Sequence, residues 1–192
     1  MASPDITLHT FSTTNRVKVS IALKELGLPY KPRVFENQST RKILALTDHD
    51  FNVFESGAIL IYLGENYDPE EKLLPKDPKL KSQVIQWIMF QVAGLGPIQG
   101  QANFYNTFSP ELVPYCIERY TKETKKYYTI LNDFLEKKEY LVGNRFTLAD
   151  IANYSMVKFH VFCGIPNLDD FPNLKAWVAR IDARPATQKG ID

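Results

Sequence analysis

Residues Ile6-Thr7-Leu8-His9-Thr10-Phe11 alternate in character and predict a short strand with Ile6, Leu8 and Thr10 on one face. Ser12-Thr13-Thr14-Asn15 is a polar turn rich in helix-capping residues. Val19, Ala22, Leu23 and Leu26 then recur at helical spacing, and Gly27 with Pro29 closes that helix. Tyr30 to Phe35 reads as a second strand, which Pro32 confines to an edge. Ile43 to Leu46 and Asn52 to Phe54 read as two further strands around a turn at Thr47-Asp48-His49-Asp50. The stretch from Ser56 to Tyr67 is apolar nearly all round, which predicts a helix buried on more than one side.

The pattern then changes. Residues 68–78 hold three prolines and six charged residues, the composition of a linker. Everything beyond it has helical period. Val84, Trp87, Ile88 and Val92 form one stripe. Tyr120, Thr124, Tyr127, Tyr128, Leu131, Phe134 and Leu135 form another. Thr147-Leu148-Ala149-Asp150 is a capping signature opening a helix to about Val161. A last short helix runs from Leu174 to Ala183, where Arg184-Pro185 stops it. The expected organisation is a small mixed domain at 1–68, a linker at 69–78 and an all-helical domain at 79–192.

Composition narrows the function. A chain of 192 residues, 44% hydrophobic and 23% charged, is long enough for a real core without disulfides or metals. A net charge of +1 argues against nucleic acid and polybasic membrane binding. No apolar run approaches the ~18–20 residues of a membrane helix, and no secretory signal is visible at the start. Cys116 and Cys163 fit no redox or zinc spacing, nor do His9, His49 and His160, so a cytoplasmic protein with reduced thiols and no metal is expected.

Several motifs resemble one family. Glu55-Ser56-Gly57-Ala58-Ile59, the linker Leu73-Leu74-Pro75-Lys76-Asp77-Pro78, Leu141 to Asp150 and Ala183-Arg184-Pro185-Ala186 resemble segments of the cytosolic glutathione transferases. Phe11 to Asn15 with Lys18 to Leu23, and Gly96 to Asn103, are similar to its fungal nitrogen-regulator-like branch. The resemblance implies an α+β thioredoxin-like N-terminal domain followed by an all-α C-terminal domain. It also implies glutathione as co-substrate, a small hydrophobic electrophile as acceptor, a detoxification role and a homodimer. The dimer would form between one chain's small domain and the other's helical domain.

The resemblance places the thiolate-stabilising side chain at Asn15. Ser12, Thr13 and Thr14 offer hydroxyls nearby. On spacing alone Asn15 reads first as an N-cap, and the resemblance reverses that order. Glu55 would pair with the ammonium of the γ-glutamyl end, and Ser56 with its carboxylate; without the resemblance they read as a capping pair. The backbone of Ile43 would pair with the cysteinyl unit. Gln99, Gln101, Asn103, Phe104, Tyr105, Trp87 and Phe108 form either an electrophile pocket or core. The turn before the first helix holds no cysteine, which disfavours mixed-disulfide exchange.

Three departures from the family pattern bear on activity. Lys31 to Lys42 is too short for the family's second helix beside its loops, so the N-terminal domain reads as truncated. Arg41 or Lys42 could replace the lost contacts to the glycine carboxylate. Leu44 stands where the family has a cis-proline, and a non-proline cis bond costs ~2.5–4 kcal/mol. Arg16 stands where the branch often has glycine. Three readings follow: a glutathione transferase, a ligand-binding or regulatory relative of low activity, and an interaction domain without the tripeptide site.

Overall fold

The computed structural model describes residues 4–11, 13–35 and 44–191. Four strands form one mixed sheet: β1 (Ile6–Thr10), β2 (Tyr30–Val34), β3 (Ala45–Asp48) and β4 (Phe51–Phe54). Their order is β2-β1-β3-β4, with β1 parallel to β2 and antiparallel to β3, and β3 antiparallel to β4. Ile6, Leu8 and Thr10 are buried while Thr7 and His9 are half-buried, the face that the alternation predicts. β2 lies at an edge, where Pro32 costs no ladder bond.

The hairpin corrects the sequence expectation. The strand runs two residues further than Leu46, and the turn contracts to His49-Asp50 with His49 at φ 54°. Thr47 and Asp48 pair with Asn52 and Phe51. Asp48 is drawn into the strand because its buried carboxylate accepts hydrogen bonds from the Tyr62 hydroxyl, at 2.8 Å, and the Tyr67 hydroxyl.

Helix α1 (Thr14–Glu25) is capped by Thr13, whose hydroxyl accepts the Arg16 N–H at 3.3 Å. Its other end is a Schellman turn. Leu28 N–H donates to Leu23 O and Gly27 N–H to Lys24 O, and Gly27 takes the φ of +66° that the turn requires. The spacing predicts one buried face, but Val17 through Leu23 are all buried. The reason is position: α1 is packed between α2 (Ser56–Tyr67), α6 (Leu148–Val157) and α8 (Pro185–Ile191).

Helices α3 (Pro78–Met89) and α4 (Gly96–Asn103) run on through a π-helical segment at Phe90–Leu95, and a second π segment follows at Phe104–Phe108. Pro97 accounts for the first. Its ring has no N–H and clashes with the carbonyl four residues back, so the helix widens ahead of it. Helix α5 (Pro114–Phe134) buries Thr124, Tyr128 and Leu131 of the predicted stripe. The expected helix beyond Thr147 divides into α6 and a 3₁₀ turn at His160–Cys163. Helix α7 (Pro172–Asp182) ends ahead of Arg184-Pro185 as the sequence predicts, but it is not the last helix, because α8 follows. Proline at a first helical position removes an N–H that has no helical partner anyway, so Pro185 starts α8.

One apolar core runs from Ile6, Leu8 and Leu46 in the sheet through Ile21 and Leu63 to Tyr128 and Trp177. At its centre Thr147 and Asp150 form the predicted capping box. The Asp150 carboxylate accepts from Thr147 N–H (2.9 Å), Thr147 hydroxyl (3.1 Å), Leu141 N–H (3.0 Å) and the Trp177 indole (2.9 Å).

Candidate functional site

A cleft of about 1110 Å³ opens where the first turns of α1 and α2 meet α4, the segments around it and the end of α6. An α-helix leaves its first N–H groups without helical acceptors, and its dipole favours an anion there. Two such ends, α1 and α2, line the same cleft through Thr13, Thr14 and Asn15 and through Glu55 and Ser56.

The N-cap of α1 is Thr13. Asn15 is not the N-cap; it lies in the first turn, exposed on the cleft. Thr14 is partly committed, its hydroxyl donating to Met156 Sδ at 3.3 Å. Glu55 is the N-cap residue of α2 but makes no side-chain cap, and its φ of 68° is unusual for a residue with a side chain. That backbone turns an exposed carboxylate beside Ser56, which is buried at the first position of the helix. The structure thus brings Asn15, Glu55 and Ser56 to one cleft. Ser12 and Ile43 lie outside the described residues, as do Arg41, Lys42 and the Ile43–Leu44 bond.

The opposite wall is aromatic. Phe104, Phe108, Phe159 and Phe162 line the cleft, and Phe108 and Phe162 stack with centroids 6.4 Å apart. Asn103 joins them, but other members of the predicted run do not. Gln99 is buried core, donating to Met156 O at 2.7 Å and accepting from the Tyr128 hydroxyl. Trp87 lines a separate groove against Phe90 and Phe134. Tyr105 stacks on Tyr120.

Sequence reasoning missed Lys18, Gln91, Met156, Phe159 and Phe162. Lys18 follows Asn15 by three residues on the same helix, but nothing in that spacing announces a buried lysine. Its side chain is fully buried, and its ammonium donates to Gln91 Oε1 on the π segment. Burial pulls its pKa down to about 7, opposed by the Glu55 carboxylate. Arg16 also has a purpose here: its guanidinium donates to Ile191 O at 2.8 Å, tying α1 to the last turn of α8. Among the described residues no group of three His, Cys, Asp or Glu side chains could hold a metal ion.

The family model for the glutathione S-transferase C-terminal domain matches residues 114–185. The chain is 38% identical to glutathione S-transferase 1 of Schizosaccharomyces pombe, over 91% of this chain and 89% of that one. It is 34% identical to the disulfide-bond oxidoreductase YfcG of Escherichia coli, over 97% and 94%. Among solved structures, a glutathione transferase homolog from Lodderomyces elongisporus holding two glutathione molecules per subunit superposes with a TM-score of 0.90 at 33% identity, covering 97% of both chains. Yeast Ure2p in complex with glutathione superposes with a TM-score of 0.89 at 27% identity, covering 99% of both.

Proposed function

The chain belongs to the glutathione S-transferase family and resembles its Ure2p-like fungal branch, and from that premise we propose that its cleft holds glutathione and activates the thiol for attack on a small hydrophobic electrophile. The carrying observation is the convergence of two helix N-termini, with Asn15 on one and Glu55 and Ser56 on the other, opposite an aromatic wall.

The energetics are modest. A free thiol has a pKa of roughly 8.5, and lowering it two units takes about 2.7 kcal/mol of selective thiolate stabilisation. One hydrogen bond to a charged group supplies ~1.5–3 kcal/mol, so the Asn15 amide N–H with the start of α1 is sufficient. Ser56 and the open N–H groups of α2 receive the γ-glutamyl carboxylate, and Glu55 its ammonium. Ser12 and the backbone of Ile43 are proposed to contact the peptide between these ends. The facing phenylalanines receive the electrophile. Its aryl or alkyl body would displace water from Phe108 and Phe162, which are 65% and 41% exposed.

A second reading has one observation in its favour, the 34% identity to a disulfide-bond oxidoreductase. The reacting sulfur would then be glutathione's own, because neither Cys116 nor Cys163 lines the cleft and Cys163 is buried with its thiol pushed up to about 11. A third reading keeps glutathione binding with little catalysis. Calorimetric titration with reduced glutathione, followed by conjugation of 1-chloro-2,4-dinitrobenzene and reduction of hydroxyethyl disulfide, separates the three. Binding with conjugation supports the first, and disulfide reduction alone the second. Binding without turnover supports the third, and no heat at millimolar ligand removes all of them.

The free thiols of Cys116 and Cys163 suit the reducing cytoplasm. A homodimer is proposed through the β4 edge, where Phe51 and Phe54 are 56% and 74% exposed, against the helical half of a second copy.

A further inference from the structure

One group at this cleft has no part in the chemistry above. Lys18 is a lysine with no exposed surface, on the floor between the two helix N-termini. Lysine is almost never fully buried unless paired. Here no carboxylate lies within ion-pair distance among the described residues, and its one hydrogen-bond partner is the neutral amide oxygen of Gln91. The cation is thus desolvated without full compensation, an arrangement that stores a preference for an incoming anion.

From α2 Lys18 faces the Glu55 carboxylate; from the π segment, neutral Gln91. Helix α6 brings uncharged Met156 to the cleft and α8 brings Ile191. On α1 itself, the Arg16 guanidinium is turned to Ile191 O.

We propose that Lys18 is an electrostatic positioning residue, a buried ammonium whose charge completes the binding of the γ-glutamyl carboxylate and whose loss of a proton releases it. The inference rests on the glutathione reading and deepens it. Lys18 acts through the field at Glu55, Ser56 and the open N–H groups of α2. With the burial-lowered pKa near 7, the free protein loses this charge within the physiological range, whereas a bound carboxylate holds the proton on. Affinity is therefore full below pH 7 and falls as pH rises through it. Thiolate formation runs in the opposite direction, so Lys18 limits turnover on the alkaline side.

The experiment titrates S-methylglutathione, which has no ionisable thiol, into the full chain by calorimetry between pH 6 and 8. The expected result is a dissociation constant rising about 5- to 10-fold across that range in the natural protein. In Lys18→Arg, which stays charged, the rise is expected to shrink to no more than about twofold, removing the ligand's own amine as the cause. Lys18→Met is expected to bind weakly at every pH. A flat profile in the natural protein overturns the proposal without needing either variant. So does an equal slope in Lys18→Arg. No binding at any pH would instead overturn the glutathione reading itself.

Discussion

At the residue scale, the candidate chemistry depends on side chains left unpaired by the fold. Asn15 stands in the first turn of α1, and Thr13 already caps the helix, so its amide is free for a ligand. Asn15→Ala is expected to lower the conjugation rate at pH 7 by about 10- to 100-fold, the loss of one hydrogen bond to a charged sulfur. The rate should recover above pH 9, where the thiol ionises unaided, and a stopped-flow pH–rate profile checks both limbs. Glu55→Gln is expected to weaken glutathione binding by about 5- to 100-fold, since the amide cannot pair with an ammonium as a carboxylate does; calorimetry reads this directly. Asn15, Glu55 and Ser56 were legible because spacing put them at helix starts and motif resemblance gave them roles. Lys18 was not. A lysine in a sequence reads as surface, and only packing against the π segment shows otherwise.

At the element scale, the stability of the helical half converges on Asp150. Four donors end on its carboxylate, and Asp150→Ala would leave them buried and unpaired. The expected cost is about 3–5 kcal/mol, against about 1 kcal/mol for Thr147→Ala, read as shifts of the urea midpoint. Burial raises the Asp150 pKa from 3.8 to about 6 despite those donors. The native state therefore binds a proton before the unfolded chain does. This group's contribution to stability is fully present below pH 4 and is lost as pH rises through 6. The stability of the natural protein relative to Asp150→Asn should improve by about 1 kcal/mol between pH 7 and pH 5. Helix α8 depends on a different device. A Cβ at Gly190 would lie 2.8 Å from the backbone of Ile21, so α8 docks on α1 only with glycine there. The capping box was readable because its residues are neighbours in sequence; the α8 contact joins residues 169 positions apart, and nothing local announces it.

At the scale of the whole molecule, the cleft exists because a four-stranded mixed sheet with α1 and α2 is held against a helical half across one continuous core. Arg184 joins the two through a two-toothed ion pair with Glu25, at 2.7 and 2.9 Å. The exposed phenylalanines on β4 belong to this scale too. Sedimentation at micromolar concentration is expected to show a dimer, and Phe54→Lys to give a monomer. The sequence by itself determined the alternating strand β1, the helices with clear period, the capping box and the positions of Asn15, Glu55 and Ser56. These rest on interactions between residues a few positions apart, where spacing is geometry. Tertiary structure alone decided that β3 runs on through Asp48, that α8 docks on α1 and that Lys18 is buried. It also decided that Gln99 is core while Phe159 and Phe162 are wall. Each of these depends on desolvation by a distant segment, and local pattern does not encode the neighbour that excludes the water.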